Sequence, residues 1–210
     1  MNSFFPPGTN HAMRDRLAFA IEIDKLKTVL RRTILIDKSR RENAAEHSWH
    51  VCLMAMVFSD CAPVGTDLCK VLRILLIHDL VEIYAGDTYA YAADAAAAAD
   101  REEVAAEQLF ALLPSTQGEA FRNLWCEFQA QETVEARFCK AIDRLQPLLH
   151  NYRTDGQTWK EHGIVPDKVR ALMADVGRGS PALGSLASEI INDAELRGFF
   201  DPETTGVSSR

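Results

Sequence analysis

Apolar residues recur at helical spacing through nearly the whole chain, and this pattern constrains the fold more than any other feature. Leu68, Leu72 and Leu75, for example, lie three or four residues apart and so share one face of a helix. We find no convincing run in which apolar and polar residues alternate, as they do in a half-buried strand. The sequence therefore predicts an all-α fold. The predicted helices are 14–31, 44–59, 66–84, 95–113 (capped by Asp94), 115–130, 133–152, 168–176 and 183–196.

A chain of 210 residues can bury one substantial core, and no linker or internal repeat divides it. We therefore expect one compact helical domain over residues 13–200, with flexible tails at 1–12 and 201–210. The net charge of −7 argues against a nucleic-acid polymer as partner, because such binding needs clustered Lys and Arg. The longest apolar run, Val51–Phe58, is too short to cross a membrane. The N-terminus shows no secretory signal and the five cysteines form no C-x-x-C pair, which indicates a cytoplasmic protein.

Polar residues at core-facing positions of the predicted helices are candidates for a metal site. His47 stands at the end of the apolar stripe formed by Val51, Met54 and Phe58, so its ring should point inward. Asp79 extends the leucine stripe of the next helix, and a buried carboxylate needs a cation or several hydrogen-bond donors. His47 alone also fits a core histidine held by one hydrogen bond, so neither residue is decisive by itself.

Three further residues bring the same chemistry to these positions. His78 lies about 100° around the helix from Asp79, so the two side chains can flank one ion. Glu82, one turn further on, reaches the same cleft. Asp143 lies on a second face of the helix predicted at 133–152, where it fits either a ligand or an aspartate paired with a neighbouring cation.

Together these residues predict a site for one divalent transition metal. The ligands would be His47, His78, Asp79 and Asp143, which supply two nitrogen and two carboxylate donors from three helices. Mixed nitrogen and oxygen ligands suit Mn, Co, Fe, Ni or Zn better than Ca or Mg. Such an ion lowers the pKa of a bound water and so favours hydrolysis near neutral pH.

Four short segments carry these residues, namely Asn43–Trp49, Ile77–Glu82, Gly86–Thr88 and Ala141–Leu145. In this order and at these spacings they resemble the HD-domain phosphohydrolase superfamily, and in particular its 5'-deoxynucleotidase branch. The resemblance covers about residues 21–152. It implies a compact helical fold, a homodimer, and metal-dependent removal of the 5'-phosphate from deoxyribonucleoside monophosphates.

The resemblance also implies roles for single residues. It places the metal ligands on the four residues named above, an acid that assists proton transfer on Glu82, and a catalytic, sugar-binding aspartate on Asp87. Arg32 takes the position of a phosphate-orienting arginine. Thr33 stands where some members have a tryptophan beside the substrate, and Thr88 follows Asp87, so both are expected to contact substrate. Because Thr33 offers no ring for stacking, we expect loose base selectivity.

The sequence thus predicts a metal-dependent phosphohydrolase that converts nucleoside 5'-monophosphates to nucleoside and phosphate. Two alternatives stand beside it: an HD-type phosphohydrolase for a different phosphate ester, and a non-catalytic helical binding protein with a structural metal. Glu82 and Asp87 argue against the second alternative, because a structural metal site needs no additional acids.

Overall fold

The structure, a computed structural model, describes residues 5–6, 8–88, 90–91 and 95–200. Helices dominate it, which confirms the predicted all-α class. The predicted cap Asp94 and the predicted tail 201–210 lie outside the described residues. The helices are α1 (His11–Glu22), α2 (Ala44–Val57), α3 (Leu68–Ile77), α4 (Glu82–Ala85), α5 (Ala95–Phe110), α6 (Ser115–Ala130), α7 (Val134–Arg153), α8 (Gln157–Glu161), α9 (Pro166–Gly179) and α10 (Pro181–Leu196); the strands are β1 (Leu30–Ile34) and β2 (Arg41–Asn43).

A small hairpin follows the first helix, in a part of the chain where the sequence pattern predicted no strand. The helix predicted at 14–31 is wrong beyond Glu22, because a 3-10 helix follows it and leads into β1. β1 and β2 pair antiparallel, with Leu30 opposite Asn43. The β-branched residues Thr33 and Ile34 are buried on β1 and fit a pleated, half-buried surface. The hairpin lies beside α7 and forms one wall of the cleft described below.

The helix predicted at 66–84 is interrupted where two candidate ligands lie. α3 ends at Ile77, and α4 begins at Glu82. Between them the amide of Leu80 donates to the carbonyl of Ile77, and that of Glu82 to that of Asp79, which are the tighter bonds of a 3-10 turn. The regular 100° spacing therefore does not hold from Asp79 to Glu82. Apolar spacing continues across the break, so periodicity alone could not locate it.

Helix α7 is the central element of the fold. It packs against α2, α3, α6, α9 and α10, and it begins at the cap Thr133, whose hydroxyl accepts from the amide of Ala136. Pro147 lies inside α7 and has no N–H to donate to the carbonyl of Asp143. Asp143 is thus held on a long buried helix, at a point where the helical bonding is locally open.

The C-terminal third of the chain packs on α7 through α9 and α10. Both helices begin with a proline, which suits the first helical position. Helices α7 and α9 approach so closely at Gly179 that an added Cβ would lie 2.1 Å from the carbonyl oxygen of Arg137. The short helix α8 was missed in the sequence analysis. Among the described residues no helix is long and apolar enough to span a membrane.

Candidate active site

The four predicted metal ligands meet at the polar end of one cleft. His47 Nε2 lies 3.1 Å from Asp143 Oδ1 and 3.8 Å from Asp79 Oδ2. His78 Nε2 lies 3.1 Å from Asp79 Oδ1 and 3.8 Å from Asp143 Oδ1. The ligand-type atoms of His47, His78 and Asp79 all lie within 4.8 Å of one another. Three separate elements, α2, the α3–α4 turn and α7, thus bring two imidazoles and two carboxylates together.

Both histidines present Nε2 to this cluster because Nδ1 is occupied elsewhere. His78 Nδ1 lies 2.7 Å from the carbonyl oxygen of Leu75, which can only accept, so the proton resides on Nδ1. His47 Nδ1 lies 3.3 Å from Gln146 Oε1 and 3.6 Å from Glu42 Oε2, which are also acceptors. A hydrogen bond of this kind on the far nitrogen is how proteins orient a metal-binding histidine.

The donor set fits a divalent ion. His78 Nε2 is buried and makes no hydrogen bond within the described part of the chain, although such atoms are normally satisfied. Its lone pair faces the carboxylates of Asp79 and Asp143, which carry lone pairs as well. A cation among the four groups would be bound by all of them at once. Imidazole together with carboxylate suits a transition metal.

The electrostatics of His47 show how strongly this cluster attracts positive charge. Burial and the charge of Arg31 lower the pKa of His47, but the hydrogen bonds to Asp143 and Glu42 and the charge of Asp79 outweigh them and raise it to about 9. The pKa of Asp143 is held well below its usual range despite burial, because Lys140 and His47 stabilise the ionised form. The neighbouring cations thus stabilise the ionised form of Asp143 although its carboxylate is enclosed.

Arg31 on β1 neutralises the acids around the cluster. Its Nη1 lies 2.8 Å from Asp79 Oδ2 and 3.7 Å from Asp87 Oδ1, and its Nε lies 3.6 Å from Glu42 Oε2. Burial lowers the pKa of Arg31, but the charge of Asp79 and the neighbouring acids raise it overall, so the guanidinium stays charged. Sequence analysis missed Arg31, because β1 was read there as the end of a helix.

Arg32 and Thr33, the two predicted substrate contacts on β1, also line the cleft. Arg32 lies on β1, just beyond the point where the sequence pattern predicted the end of a helix. Its charge lowers the pKa of Asp87 and opposes the larger effect of burial there. Thr33 is buried beside it.

Glu82 opens α4 and lines the same cleft. It is 8% exposed, and its Oε2 is buried without a hydrogen-bond partner among the described residues. Burial and the charge of Asp79 raise the pKa of Glu82 well above its usual value, although Arg31 opposes them. A carboxyl group with a raised pKa binds its proton more tightly than a free glutamate does, which suits it to act as a general acid toward a leaving oxygen.

Asp87 and Thr88 follow α4 in an irregular segment that also lines the cleft. Gly86 makes the turn possible: it has a φ of 76° and a ψ of 158°, and its amide donates to the carbonyl of Glu82. Burial raises the pKa of Asp87, while Arg31 lowers it. Asp87 therefore lies within reach of a group bound between the arginine and the ligand cluster.

Lys140 is a second cation that the sequence analysis did not identify as a site residue. Its Nζ lies 3.2 Å from Asp143 Oδ2 and 4.6 Å from the centre of the Phe128 ring, and it lines the cleft. Burial lowers the pKa of Lys140, and Arg144 adds to this effect, whereas Asp143 raises it. An i, i+3 spacing from Asp143 was the only sequence signal for it.

A buried polar network supports His47 from behind. Gln146 Nε2 lies 2.6 Å from Glu42 Oε1 and 3.1 Å from His150 Nε2. His150 Nδ1 in turn lies 3.0 Å from the carbonyl oxygen of Ile34 on β1. Gln146 is fully buried, so each of these bonds matters. The network ties the ligand on α2, the ligand helix α7 and the arginine-bearing strand together.

Comparison with known proteins agrees with this geometry. The sequence profile of the HD domain matches residues 23–183, most of the chain. The chain belongs to the HD-domain family. The human 5'-deoxynucleotidase HDDC2 is 31% identical to it over 151 residues, which cover 67% of this chain and 69% of the human protein. The fission-yeast (Schizosaccharomyces pombe) 5'-deoxynucleotidase hdd1 is 28% identical over 116 residues, or 53% of this chain and 57% of its own length.

One solved structure matches nearly the whole length of this protein. The protein from Magnetospirillum magnetotacticum MS-1, described as a predicted metal-dependent phosphohydrolase, is 45% identical and superposes with a TM-score of 0.89. The superposition covers 94% of this chain and all of the other. The resemblance found in the sequence is thereby confirmed, and the HD-domain protein is a hydrolase of the phosphohydrolase type that uses a divalent metal. The roles of single residues stay predictions.

Proposed function

We propose that this HD-domain protein removes the 5'-phosphate from nucleoside monophosphates, with preference for deoxyribonucleotides. The observation that carries the proposal is the cluster of His47, His78, Asp79 and Asp143 at one end of a cleft lined by arginines and a buried carboxyl group. The cleft has a volume of about 330 Å³, in the range of small-molecule sites. The activity of the 5'-deoxynucleotidase relatives supports the choice of substrate.

The four ligand side chains would hold one divalent ion. When bound, the ion supplies an activated water and a positive centre for the phosphate oxygens. The candidate ions are Mn, Co, Fe, Ni and Zn. Protein side chains would orient the phosphate, donate the proton and bind the sugar.

The phosphate is oriented by the cations that face the cluster. Arg32 lines the cleft on β1, and an arginine fork matches two phosphate oxygens at once. Lys140 on α7 also lines the cleft and contributes positive charge. Positioning and charge neutralisation supply most of the catalysis in phosphoryl transfer.

Glu82 is the proposed proton donor to the leaving 5'-oxygen. Burial and the charge of Asp79 raise its pKa, which favours a role as general acid. Asp87 would accept a hydrogen bond from the sugar 3'-hydroxyl and leave no room for a 2'-hydroxyl. Thr33 and Thr88 also line the cleft and are the further proposed substrate contacts. The predicted homodimer and the cytoplasmic location rest on the sequence analysis and are part of this proposal.

A substrate screen on metal-analysed protein tests the function. Purified protein is assayed for bound metal and then for phosphate release from a panel of deoxy- and ribonucleoside 5'-monophosphates and other phosphate esters. The proposal predicts stoichiometric divalent metal and fastest release from deoxyribonucleotides. Faster release from another ester would favour the alternative HD-type phosphohydrolase. A protein that binds metal but releases no phosphate from any ester would contradict the proposal.

A further inference from the structure

Beyond the ligand cluster, the cleft has an apolar end to which the proposed function assigns no role. Its walls come from the end of α7, from α8 and from α9, together with the segment before α5. Several of these side chains are almost wholly buried, so the surface is poorly hydrated. Apolar and aromatic walls suit a flat ring better than a phosphate or a sugar. The residues are Tyr91, Pro147, Leu148, Trp159, Leu172 and Met173.

Two buried side-chain atoms at this end, Asn151 Oδ1 and Trp159 Nε1, make no hydrogen bond among the described residues, and Asn151 Oδ1 is the acceptor of the two. Asn151 lines the cleft and is only 7% exposed. Its Nδ2 donates to the carbonyl oxygen of Pro147 at 2.9 Å. A carbonyl oxygen can only accept, so this bond fixes the amide group and makes the other atom, Oδ1, an acceptor. Oδ1 is buried and makes no hydrogen bond to the described residues, which is costly unless a ligand supplies a donor.

The position of Asn151 relative to the ligand cluster suits a nucleotide. Asn151 follows Asp143 by eight residues on α7, which places it about 12 Å further along the helix axis at roughly 1.5 Å per residue. That separation is comparable with the length of a nucleoside monophosphate from its phosphate to the far edge of its base. A phosphate held at Asp143 would thus put the base against the apolar walls.

We propose that the apolar end is a nucleobase subsite in which Asn151 Oδ1 accepts a hydrogen bond from an exocyclic amino group. The inference rests on the proposed function and adds a base preference to it. Cytosine and adenine carry an amino donor at that edge, whereas uracil, thymine and hypoxanthine carry a carbonyl acceptor. A carbonyl would face Asn151 Oδ1 acceptor to acceptor. The sequence analysis expected loose base selectivity because Thr33 offers no ring for stacking. The proposal replaces that expectation, because Asn151 on α7 would provide the selectivity.

Matched substrates test the preference on the wild-type protein. We compare kcat/KM for dCMP with that for dUMP, and kcat/KM for dAMP with that for dIMP. The bases of each pair differ chiefly in carrying an exocyclic amino group or a carbonyl group. Deoxyribose 5-phosphate, which has no base, measures the contribution of the whole subsite. The amino-bearing member of each pair should be hydrolysed about 10-fold or more faster, since a mismatched polar group is left unpaired in a dry pocket. Deoxyribose 5-phosphate should be slower still.

Asn151→Ala isolates the proposed acceptor, and Asn123→Ala, an exposed position on α6, is the matched control. The first variant should reduce kcat/KM for dCMP and dAMP to the level of their carbonyl partners. The ratio of kcat/KM between the two members of each pair should therefore fall toward 1 in this variant. The control should retain the full preference. Because the substrate pairs are also compared on wild type, the proposal is tested even when a variant does not fold.

Three outcomes separate the claims. Equal kcat/KM within both pairs would overturn the role of Asn151. Hydrolysis of deoxyribose 5-phosphate as fast as dCMP would overturn the base subsite and leave a phosphatase for sugar phosphates. Release from another ester without release from any nucleoside monophosphate would reject the proposed function, and this inference with it.

Discussion

Arg31 Nη1 lies 2.8 Å from Asp79 Oδ2, so an arginine on β1 pairs with a candidate metal ligand 48 residues further along the chain. Both side chains are nearly buried, at 12% and 13% exposure. The pair neutralises a carboxylate that would otherwise stand in an enclosed acidic cluster. It also fixes the hairpin against the α3–α4 turn. The ion pair therefore couples the placement of the arginines to the metal site.

Replacing Arg31 with Met should destabilise the metal-free protein more than the metal-loaded protein. Breaking a buried ion pair by removing one partner costs about 3–5 kcal/mol, and a bound ion would supply the missing positive charge to Asp79. Arg32→Met, at the exposed neighbouring position, should change stability by only about 0.5 kcal/mol. Thermal unfolding of both variants with and without Mn²⁺ measures the difference. Equal destabilisation of Arg31→Met in the two metal states would count against this coupling.

Gln146 should control metal affinity without touching the metal. It accepts from His47 Nδ1, and loss of such a supporting bond typically weakens metal binding by about 10–100-fold. We expect Gln146→Leu to raise the Kd for the metal by that factor, whereas Gln157→Leu, on α8, leaves it unchanged. Competition with a chromophoric chelator gives both values. An unchanged Kd in a folded Gln146→Leu protein would show that the network does not orient His47.

Glu82 should be needed for turnover and not for metal binding. Glu82→Gln and Glu82→Ala should bind metal and substrate, yet turn over about 10²–10⁴-fold more slowly, as for a lost general acid. Glu102→Gln, another acid lining the cleft, serves as control and should cost much less. Metal content and kcat are measured on the same samples. If the variants lose activity only in proportion to lost metal, Glu82 is a structural residue of the metal site.

Apolar spacing predicted the long helices well, because their burial depends on one continuous face. The prediction of 115–130 coincides with α6, and 133–152 differs from α7 by one residue at each end. β1 could not be found this way, since its partner β2 and its contact with α7 are tertiary. The break after Ile77 was hidden for a similar reason: the 3-10 turn leaves the apolar spacing intact.

The residues of the candidate site likewise fall into those that the sequence could identify and those that it could not. His47, His78, Asp79 and Asp143 could be named because they occur in short segments with recognisable neighbours. The sequence could not identify Arg31, Glu42 and Gln146 as site residues, because only the fold brings them to the cluster. Gln146 and Glu42, for example, are bonded across 104 residues of sequence. Asn151 gave no sequence signal, because its proposed role depends on a buried Oδ1 that makes no hydrogen bond to the described residues.

Asp87 should set the preference for deoxyribose. It lines the cleft next to Arg31, and in the proposed function it accepts from the 3'-hydroxyl and leaves no room for a 2'-hydroxyl. We expect wild type to hydrolyse dAMP faster than AMP, and Asp87→Ala to erode the difference or abolish substrate binding while metal content stays the same. Matched kcat/KM values for the two sugars on both proteins decide this. Equal wild-type values would refute the deoxyribose preference and leave a general nucleotidase.

The most direct test of the account is the link between bound metal and hydrolysis at His47. Metal content by mass spectrometry and phosphate release from dAMP are measured on wild type and His47→Ala, before and after dialysis against chelator and after return of Mn²⁺. His11→Ala, at an exposed position on α1, is the control. We predict that wild type and the control lose metal and activity together on dialysis and regain both with Mn²⁺, whereas His47→Ala binds little metal and stays nearly inactive throughout. Full activity in dialysed, metal-free protein would contradict the account.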